Sequence, residues 1–279
     1  MNYKSQEKIL EERQVGELLY LSYPLLENTG IVKHGFSTRI GGVSKAHLGS
    51  MNLSFTRGDE EAAVRENYRR MAGALDVEED SFVCSQQTHT TNVRKVSVAD
   101  KGKGLVKPLD YTDVDGLITD VPGLTLTTFY ADCVPLYFVD PVHKAIGLSH
   151  SGWRGTVGKM GALTLQRMKE EYGTHPADVY AAIGPSICRD CYEVSEDVIA
   201  EFQKQFAEEL WPLLYDEKKN GKYQLDLWKA NELILLEAGV PRKQIAVTNL
   251  CTCCNAETLF SHRASQGRRG NLAAFLALR

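Results

Sequence analysis

Two short apolar runs joined by a turn restrict the fold of this chain more than any other stretch. Residues 136–139 are followed by Asp140-Pro141 and then by the second run, residues 145–148. Each run has the length and the β-branched or aromatic content of a buried strand, so the stretch predicts a β-hairpin. Cys133 enters this hairpin and His150 leaves it. Because a hairpin brings its outer ends together, we expect the thiol and the imidazole to lie within ligand or hydrogen-bond distance.

Further apolar runs of strand length alternate with amphipathic segments of helical length. The predicted strands cover residues 18–21, 31–37, 82–89, 92–98, 114–118, 124–130, 136–139, 145–149, 179–183 and 245–250. The predicted helices cover residues 59–75, 156–172, 195–209 and 226–238. Asp59 and Thr156 stand at N-cap positions, and Gly173 stands where the second helix should end. Apolar strands at this density are typical of sheets covered on both faces.

No repeat, low-complexity tract or linker divides the chain. We therefore expect one compact domain over residues 1–279, with residues 1–15 as a polar N-terminal extension. Glycines at positions 155, 158 and 161 recur along the second predicted helix. Their lack of a side chain predicts that this helix lies unusually close to its sheet.

The charge and the N-terminus exclude several classes of protein. A net charge of −4 disfavours a protein that works on nucleic acid or on an anionic membrane, since both partners require a basic excess. The first residues lack the apolar core of a signal peptide, and no apolar stretch is long enough to cross a bilayer. We therefore expect a cytoplasmic protein whose seven cysteines are not paired in disulfides.

A third side chain extends the pair formed by Cys133 and His150. His89 ends a predicted strand that turns abruptly polar. A histidine in such a place is usually exposed or hydrogen-bonded, but with Cys133 and His150 it completes a set of two imidazoles and one thiolate. That donor set is known for zinc and for copper.

The other cysteines allow two interpretations. Cys188 and Cys191 form a C-x-x-C pair, and Cys251 with Cys253 or Cys254 could complete four sulfurs for a structural zinc ion. The second set is written C-x-C-C, which fits a zinc knuckle poorly. We therefore expect these thiols to be mostly buried neutral residues.

Six motifs resemble the bacterial laccase-domain family. They are GFSTRIGGVS at 35–44, QQTH at 86–89, ADCVP at 131–135, HSGWRG at 150–155, IGPSI at 183–187 and FSHR at 260–263. The resemblance runs from about residue 16 to the C-terminus. That family was first described as multicopper polyphenol oxidases and later as purine nucleoside phosphorylases with adenosine deaminase activity. It implies a four-layer α/β/β/α sandwich with mixed β-sheets, similar to the catalytic domain of cytotoxic necrotizing factors.

The resemblance also implies the residues of the site. The metal, usually taken to be zinc, would be held by His89, Cys133 and His150, which would also be the catalytic residues, with the fourth position left for water or substrate. The substrates would be a purine nucleoside and phosphate. The candidates for binding them are cations, a stacking tryptophan and neighbouring polar residues. They are Ser37, Arg39, Trp153, Arg154, His262 and Arg263. Arg39 lies in a Gly-Gly loop whose backbone amides could also bind an anion.

The general acid and three alternative functions remain open from the sequence. Neither His89 nor His150 is followed by the glutamate of zinc nucleoside deaminases, so the general acid is unidentified and Asp132 and His262 are the nearest candidates. A four-copper oxidase needs more histidine pairs than seven scattered histidines supply, although a single copper ion would fit. Without a metal, Cys133 as nucleophile and His150 as base would make a cysteine hydrolase or deamidase. A binding protein without turnover is the third interpretation.

Overall fold

The computed structural model describes residues 1–279 and contains fifteen strands and eight α-helices. The strands are β1 Glu11–Val15, β2 Leu18–Ser22, β3 Val32–Ser37, β4 Phe82–Cys84, β5 Val93–Lys95, β6 Gly116–Thr119, β7 Thr125–Tyr130, β8 Val134–Asp140, β9 Ala145–Ser151, β10 Tyr180–Ile183, β11 Glu193–Val194, β12 Tyr215–Glu217, β13 Tyr223–Leu225, β14 Ile245–Val247 and β15 Leu272–Leu278. The helices are α1 Pro24–Glu27, α2 Glu61–Leu75, α3 Trp153–Val157, α4 Met160–Tyr172, α5 Glu196–Gln205, α6 Trp211–Leu214, α7 Leu227–Glu237 and α8 His262–Ser265.

Two six-stranded mixed sheets form the centre of the molecule. The first has the order β1-β2-β3-β15-β7-β4, in which only β4 and β7 run parallel. The second has the order β14-β10-β8-β9-β6-β5, in which β10 and β14 are parallel, as are β5 and β6. A small antiparallel sheet of β11, β13 and β12 is separate from both.

Three layers of buried apolar side chains hold the sheets and helices together. Between the two sheets, Phe36 and Tyr130 of the first share a cluster with Tyr137 and Leu148 of the second. A second cluster joins the second sheet to α4, α5 and α7, and a third joins the first sheet to α2. Each large side chain that is fully buried in these clusters contributes about 1.5–3 kcal/mol. The layers follow the order α/β/β/α, which confirms the predicted fold.

The predicted hairpin is present and is longer than predicted. Strands β8 and β9 pair from Val134 opposite Ser151 to Asp140 opposite Ala145. Asp140 is fully buried at the turn, where its carboxylate accepts hydrogen bonds from the backbone amides of residues 142 and 143 and from the His143 ring. This turn fixes the register, and the register places His150 opposite Pro135, two residues from Cys133.

The helix predicted over residues 156–172 is two helices. Helix α3 ends at Val157, and Lys159 adopts a left-handed conformation with φ 55° before α4 begins. The Thr156 hydroxyl donates to the carbonyl of Gly152 and is not a cap. A Cβ on Gly158 would lie 2.6 Å from Thr91, and one on Gly161 would lie 3.0 Å from Leu235 of α7. Gly158 therefore admits the Thr91 side chain, and Gly161 lies against side chains of both α7 and the second sheet, since a Cβ there would also be 3.5 Å from Leu136 of β8.

Other boundaries also differ from the predictions. Helix α2 begins at Glu61 with Glu60 as its N-cap, because the Asp59 carboxylate accepts hydrogen bonds from Ser44 and Asn52. Residues 11–15, assigned to an extension, form β1 and pair with β2. Strand β15, which was not predicted, lies between β3 and β7 in the middle of the first sheet. None of the helices is long and apolar enough to span a membrane.

Candidate metal centre and active-site cavity

His89, Cys133 and His150 come together in the structure. Their potential ligand atoms all lie within 4.8 Å of one another. The Cys133 sulfur is 4.0 Å from Nε2 of His89, and the two imidazole rings meet edge to face with centroids 4.9 Å apart. The predicted proximity of the three side chains is thus confirmed.

A tight turn between β7 and β8 presents Cys133. Asp132, the residue before it, has a left-handed φ of 86°, a strained conformation for a residue other than glycine. Its carboxylate accepts hydrogen bonds from the Thr252 hydroxyl at 2.6 Å and from the Arg263 amide at 2.7 Å. The carbonyl of Asp132 also accepts from the amide of Ile187. These bonds stabilise the turn and thereby the direction of the thiol.

Asp115 contacts the ring of His150 and the backbone amide of His89, and the sequence analysis missed it. This fully buried carboxylate lies 2.7 Å from Nδ1 of His150 and accepts from the backbone amides of residues 88, 89 and 90. The contact to Nδ1 leaves Nε2 of His150 for a metal, the arrangement found around most metal-binding histidines. Burial by itself would raise the pKa of Asp115, but the hydrogen bonds from His150 and the amides outweigh it and lower the pKa.

The signal for Asp115 was present in the sequence. It is the single charged residue in the predicted strand over 114–118. A charged side chain inside an apolar run must find partners when the run is buried. That rule would have pointed to Asp115 as the partner of a nearby histidine.

Charge coupling changes the protonation of the pair formed by Cys133 and His150. Burial would raise the pKa of the Cys133 thiol, but His150 and His89 stabilise the thiolate and lower the pKa to about 6. Burial would lower the pKa of His150, but the Cys133 thiolate and Asp115 raise it to about 9. The protein without metal therefore favours a thiolate beside an imidazolium, and a thiolate is the form that binds metal.

Gly152 leaves the space that a bound ion and its ligands need. A Cβ at this position would lie 3.1 Å from the Cys133 sulfur and 3.2 Å from Cδ2 of His89. Any larger residue would therefore crowd two of the three ligands. The donor types, their spacing and this opening fit a three-ligand zinc site.

His89, Cys133 and His150 all line a cavity of about 1050 Å³. One part of its wall is apolar and includes Phe129, Tyr130 and Tyr192. Other lining residues are basic, as expected for a site that accepts an anion. The basic ones are Arg57, Arg65, Lys107, His262, Arg263 and Arg269. The size and mixed character are those of a small-molecule site.

Arg57 and Arg269 form a pair of close guanidinium groups that the sequence analysis missed. Both donate to the side-chain oxygen of Asn271. Burial, and after it the charge of Arg57, lower the pKa of Arg269 to about 10. Nε of Arg269 is buried without a hydrogen-bond partner. Burial and these cations also lower the pKa of His262. An anion bound here would relieve this repulsion.

Two of the predicted binding residues, Arg263 and His262, line the cavity, but four others do not. The Arg39 guanidinium donates to the carbonyls of Gly49 and Ala256 and packs over Phe260. Ser37 is buried, and its hydroxyl accepts from the Ala273 amide of β15. These placements do not support a phosphate-binding role for Arg39 or Ser37.

Trp153 and Arg154 also lie outside the cavity. The Trp153 ring packs against the apolar layer that covers the second sheet. The Arg154 guanidinium lies 4.2 Å from the centre of that ring. Trp153 therefore belongs to the helical layer, and neither side chain is among those that line the cavity.

The chain from β3 to its last residue matches a known family. Residues 33–279 match the family described as multi-copper polyphenol oxidoreductase laccase. The chain belongs to this laccase family. One relative is purine nucleoside phosphorylase YlmD of Geobacillus stearothermophilus, 39% identical over 246 residues, which are 88% of this chain and 89% of that protein. Another is YlmD of Bacillus subtilis, also named a purine nucleoside phosphorylase, 35% identical over 254 residues and 91% of each chain.

A solved structure of the laccase family has the same fold. The crystal structure of YlmD from Geobacillus stearothermophilus superposes with a TM-score of 0.89 and 36% identity. The superposition covers 97% of this chain and 99% of the other. The laccase family's name refers to several copper ions, but only one of the two groups of potential metal ligands in this chain contains histidine.

Proposed function

We propose that the chain is a zinc-dependent purine nucleoside phosphorylase. It would use phosphate to split adenosine, inosine or guanosine into a free base and ribose 1-phosphate. The observation that carries this proposal is the shared cavity, in which a three-ligand metal site and a cluster of guanidinium groups face the same space. The names of the similar proteins support the same activity.

Zinc is the metal that the donor set favours. His89, Cys133 and His150 would hold it, and Asp115 would keep the His150 ring in place. The ion would supply a Lewis acid next to the bound nucleoside. Copper is the alternative, since the same donors also suit a single copper ion and would then favour an oxidase.

The remaining residues of the cavity would bind and position the substrates. Arg57 and Arg269 would bind phosphate. Arg263, whose guanidinium donates to the carbonyls of Cys191 and Glu193, would hold the wall of the cavity beside the aromatic face of Tyr192. A phosphate oxygen would form a bond to C1′ of the ribose as the bond from C1′ to the purine nitrogen breaks. The electron pair of that bond would pass to the purine, which then takes up a proton.

His262 is the better of the two predicted proton donors. Both carboxylate oxygens of Asp132 already accept hydrogen bonds from Thr252 and Arg263, so Asp132 acts as an acceptor that supports the turn. His262 lines the cavity and is exposed to it. Proton transfer by a positioned side chain typically contributes about 10²–10⁴-fold in rate.

We further propose adenosine deaminase activity at the same centre. Water would replace the amino group at C6 of adenosine, and ammonia would leave. The carboxylates that line the cavity are Glu61 and Asp132, and Glu61 is paired with Arg65 at 2.8 Å. The glutamate that serves zinc nucleoside deaminases therefore has no equivalent at the metal ligands, and we expect deamination to be slower than phosphorolysis.

One observation favours a second candidate function. Asp115, His150 and Cys133 have the order of an orienting acid, a base and a nucleophile, and the pKa of Cys133 is about 6. A cysteine hydrolase would need no metal: the thiolate would attack an acyl carbon, the amine or alcohol would leave with a proton from His150, and water would then hydrolyse the thioester. The two functions differ in whether the metal-free protein is active.

Untagged protein provides the test. Its metal content is measured by mass spectrometry, and adenosine, inosine or guanosine is incubated with phosphate before chromatography of bases, ribose 1-phosphate and inosine. We expect zinc, phosphate-dependent base release and loss of both after chelation. Full turnover in metal-free protein would refute the zinc mechanism, and base release without phosphate would refute a phosphorylase.

A further inference from the structure

A second group of sulfurs lies outside the cavity. The Sγ atoms of Cys188, Cys191, Cys251 and Cys254 all lie within 4.8 Å of one another, and those of Cys191 and Cys254 are 3.5 Å apart. Zinc binds sulfur at about 2.3 Å, which separates the sulfurs of a tetrahedral site by about 3.8 Å. The four thiols are thus close to the geometry of such a site before any ion is added.

The sequence contains two matched C-x-x-C pairs. The first is Cys188 with Cys191, and the second is Cys251 with Cys254. Because Cys253 lies between the members of the second pair, that stretch reads as C-x-C-C in the sequence. The structure leaves Cys253 out of the group. The expectation that these thiols are mostly buried is wrong for Cys191, which is half-buried, and for Cys254, which is exposed. Two C-x-x-C pairs are a frequent ligand pattern of structural zinc.

The sheet brings the two pairs together. Strands β10 and β14 run parallel and side by side, so the turns that follow them leave the same edge. Ser186 pairs with Cys251, and the amide of Thr252 donates to the carbonyl of Ser186. Because regular backbone pairing places these turns, the cluster does not depend on flexible loops.

Backbone amides already point at one of the sulfurs. Sγ of Cys251 accepts from the amide of Cys188 at 3.2 Å and from the amide of Cys254 at 3.4 Å. Bonds of this kind stabilise negative charge on sulfur, which a metal-bound thiolate carries. The ammonium group of Lys4, which is 2.9 Å from Asp190, is close enough to interact with Cys188 and Cys254. Zinc with four thiolates has a net charge of −2, and a nearby cation offsets part of it.

We propose that Cys188, Cys191, Cys251 and Cys254 form a structural site that takes one zinc ion. Four protein ligands leave no open position, so the site stabilises structure and does not bind substrate. A disulfide would join only two of the sulfurs, and it would require the closest pair to move from 3.5 Å to about 2.0 Å. All seven cysteines are free thiols in the structure.

The site joins two segments that support the wall of the cavity. The first carries Cys191 and Tyr192, and the Arg263 guanidinium donates to the carbonyls of Cys191 and Glu193. The second carries Thr252, whose hydroxyl supports Asp132 next to Cys133. The zinc site therefore fixes the positions of Arg263 and of the turn that presents the Cys133 thiol.

Metal counting on single variants tests the proposal. Untagged wild-type protein should hold two zinc ions per chain, Cys254→Ser one and Cys133→Ala one. Cys253→Ser is the matched control, since it changes a thiol in the same turn that is not a ligand, and it should keep two. We expect Cys254→Ser to lower Tm by roughly 5–10 °C and Cys253→Ser to leave it within about 1–2 °C.

A spectroscopic measurement keeps the test valid if Cys254→Ser does not fold. In Cys133→Ala the zinc that remains should show an X-ray absorption shell of four sulfurs at about 2.3 Å and no nitrogen. A metal-free Cys133→Ala protein would overturn the proposal, as would a disulfide within the group in protein purified without oxygen. Neither result depends on the phosphorylase proposal, which is tested through turnover of the wild-type protein.

Discussion

The two groups of potential metal ligands in this chain differ in the number of donor atoms and in surroundings. The first, His89 with Cys133 and His150, has three donors and faces a cavity. The second, the four cysteines of the turns after β10 and β14, has four sulfurs and lies outside that cavity. Three ligands leave a position for water or substrate, whereas four complete a tetrahedron. One fold would thus hold a reactive metal and a structural one.

Their supports also differ. Side-chain carboxylates hold the first group, since Asp115 orients His150 and Asp132 shapes the turn before Cys133. Backbone amides hold the second group, through the bonds to Cys251. A carboxylate raises the basicity of a ligand and tunes a reactive metal, while an amide merely favours the thiolate. We expect the first group to be the more sensitive to changes in neighbouring side chains.

The largest effect should follow from removing a ligand of the first group. Cys133→Ala and His150→Ala should each lower kcat for phosphorolysis by about 10³-fold or more, because the metal supplies several kcal/mol of stabilisation. Circular dichroism and Tm should stay close to wild type in Cys133→Ala. Cys253→Ser, a control at a thiol outside both groups, should be fully active. Turnover that survives in Cys133→Ala would mean that the three-ligand centre is not catalytic.

A smaller loss should follow from Asp115→Asn. The amide keeps the shape of the side chain but removes the charge that orients His150, which should cost about 10–100-fold in zinc affinity or in kcat/KM. Asp113→Asn is a matched control two residues away, since Asp113 accepts from Thr88 and Asn92 and does not contact His150. Equal losses in the two variants would show that the loop, and not the carboxylate on His150, is what matters.

The next effect concerns phosphate. Arg269→Ala should raise KM for phosphate about 10-fold, because a hydrogen bond between charged groups is worth about 1.5–3 kcal/mol. Arg154→Ala, which from the sequence would be expected to raise this KM, should change it less than about twofold, because Arg154 packs on Trp153 outside the cavity. Initial rates at several phosphate concentrations give the KM of each variant. A larger increase in KM for Arg154→Ala than for Arg269→Ala would place the anion site at Arg154 instead.

The hairpin and the proximity of Cys133 to His150 could be predicted because both depend on a local pattern. Two apolar runs and a turn predict that their ends meet, and the register of β8 and β9 confirms it. Strand β15 could not be found in this way. Its sequence, Leu-Ala-Ala-Phe-Leu-Ala-Leu, has no β-branched residue and would suit a helix equally well. Its position between β3 and β7 supplies the pairing that decides its conformation.

The arginine pair of the cavity was harder to predict for a different reason. Arg57 lies in the loop before α2, and Arg269 lies in the segment before β15, far away in sequence. They come together because both donate to the side-chain oxygen of Asn271. No periodicity or spacing reports such a meeting. Arg39 has the more suggestive neighbours, two glycines, yet its guanidinium already donates to backbone carbonyls.

Two expectations from the sequence stay predictions, namely that the chain is a single domain and that the protein is cytoplasmic.

The smallest effect separates the two groups by their reactivity. A mild chelator should remove metal first from the three-ligand centre, where one position is open, and leave the four-sulfur site loaded. Cys133 should then react with iodoacetamide, half-maximally near pH 6, since the thiolate fraction rises as pH passes the pKa of about 6. Cys84 lines the same cavity, but burial raises its pKa to about 12, so it should stay unmodified below pH 9. Peptide mapping by mass spectrometry identifies the modified thiols. Modification of Cys254 before Cys133 would reverse the assignment of the open and the closed site.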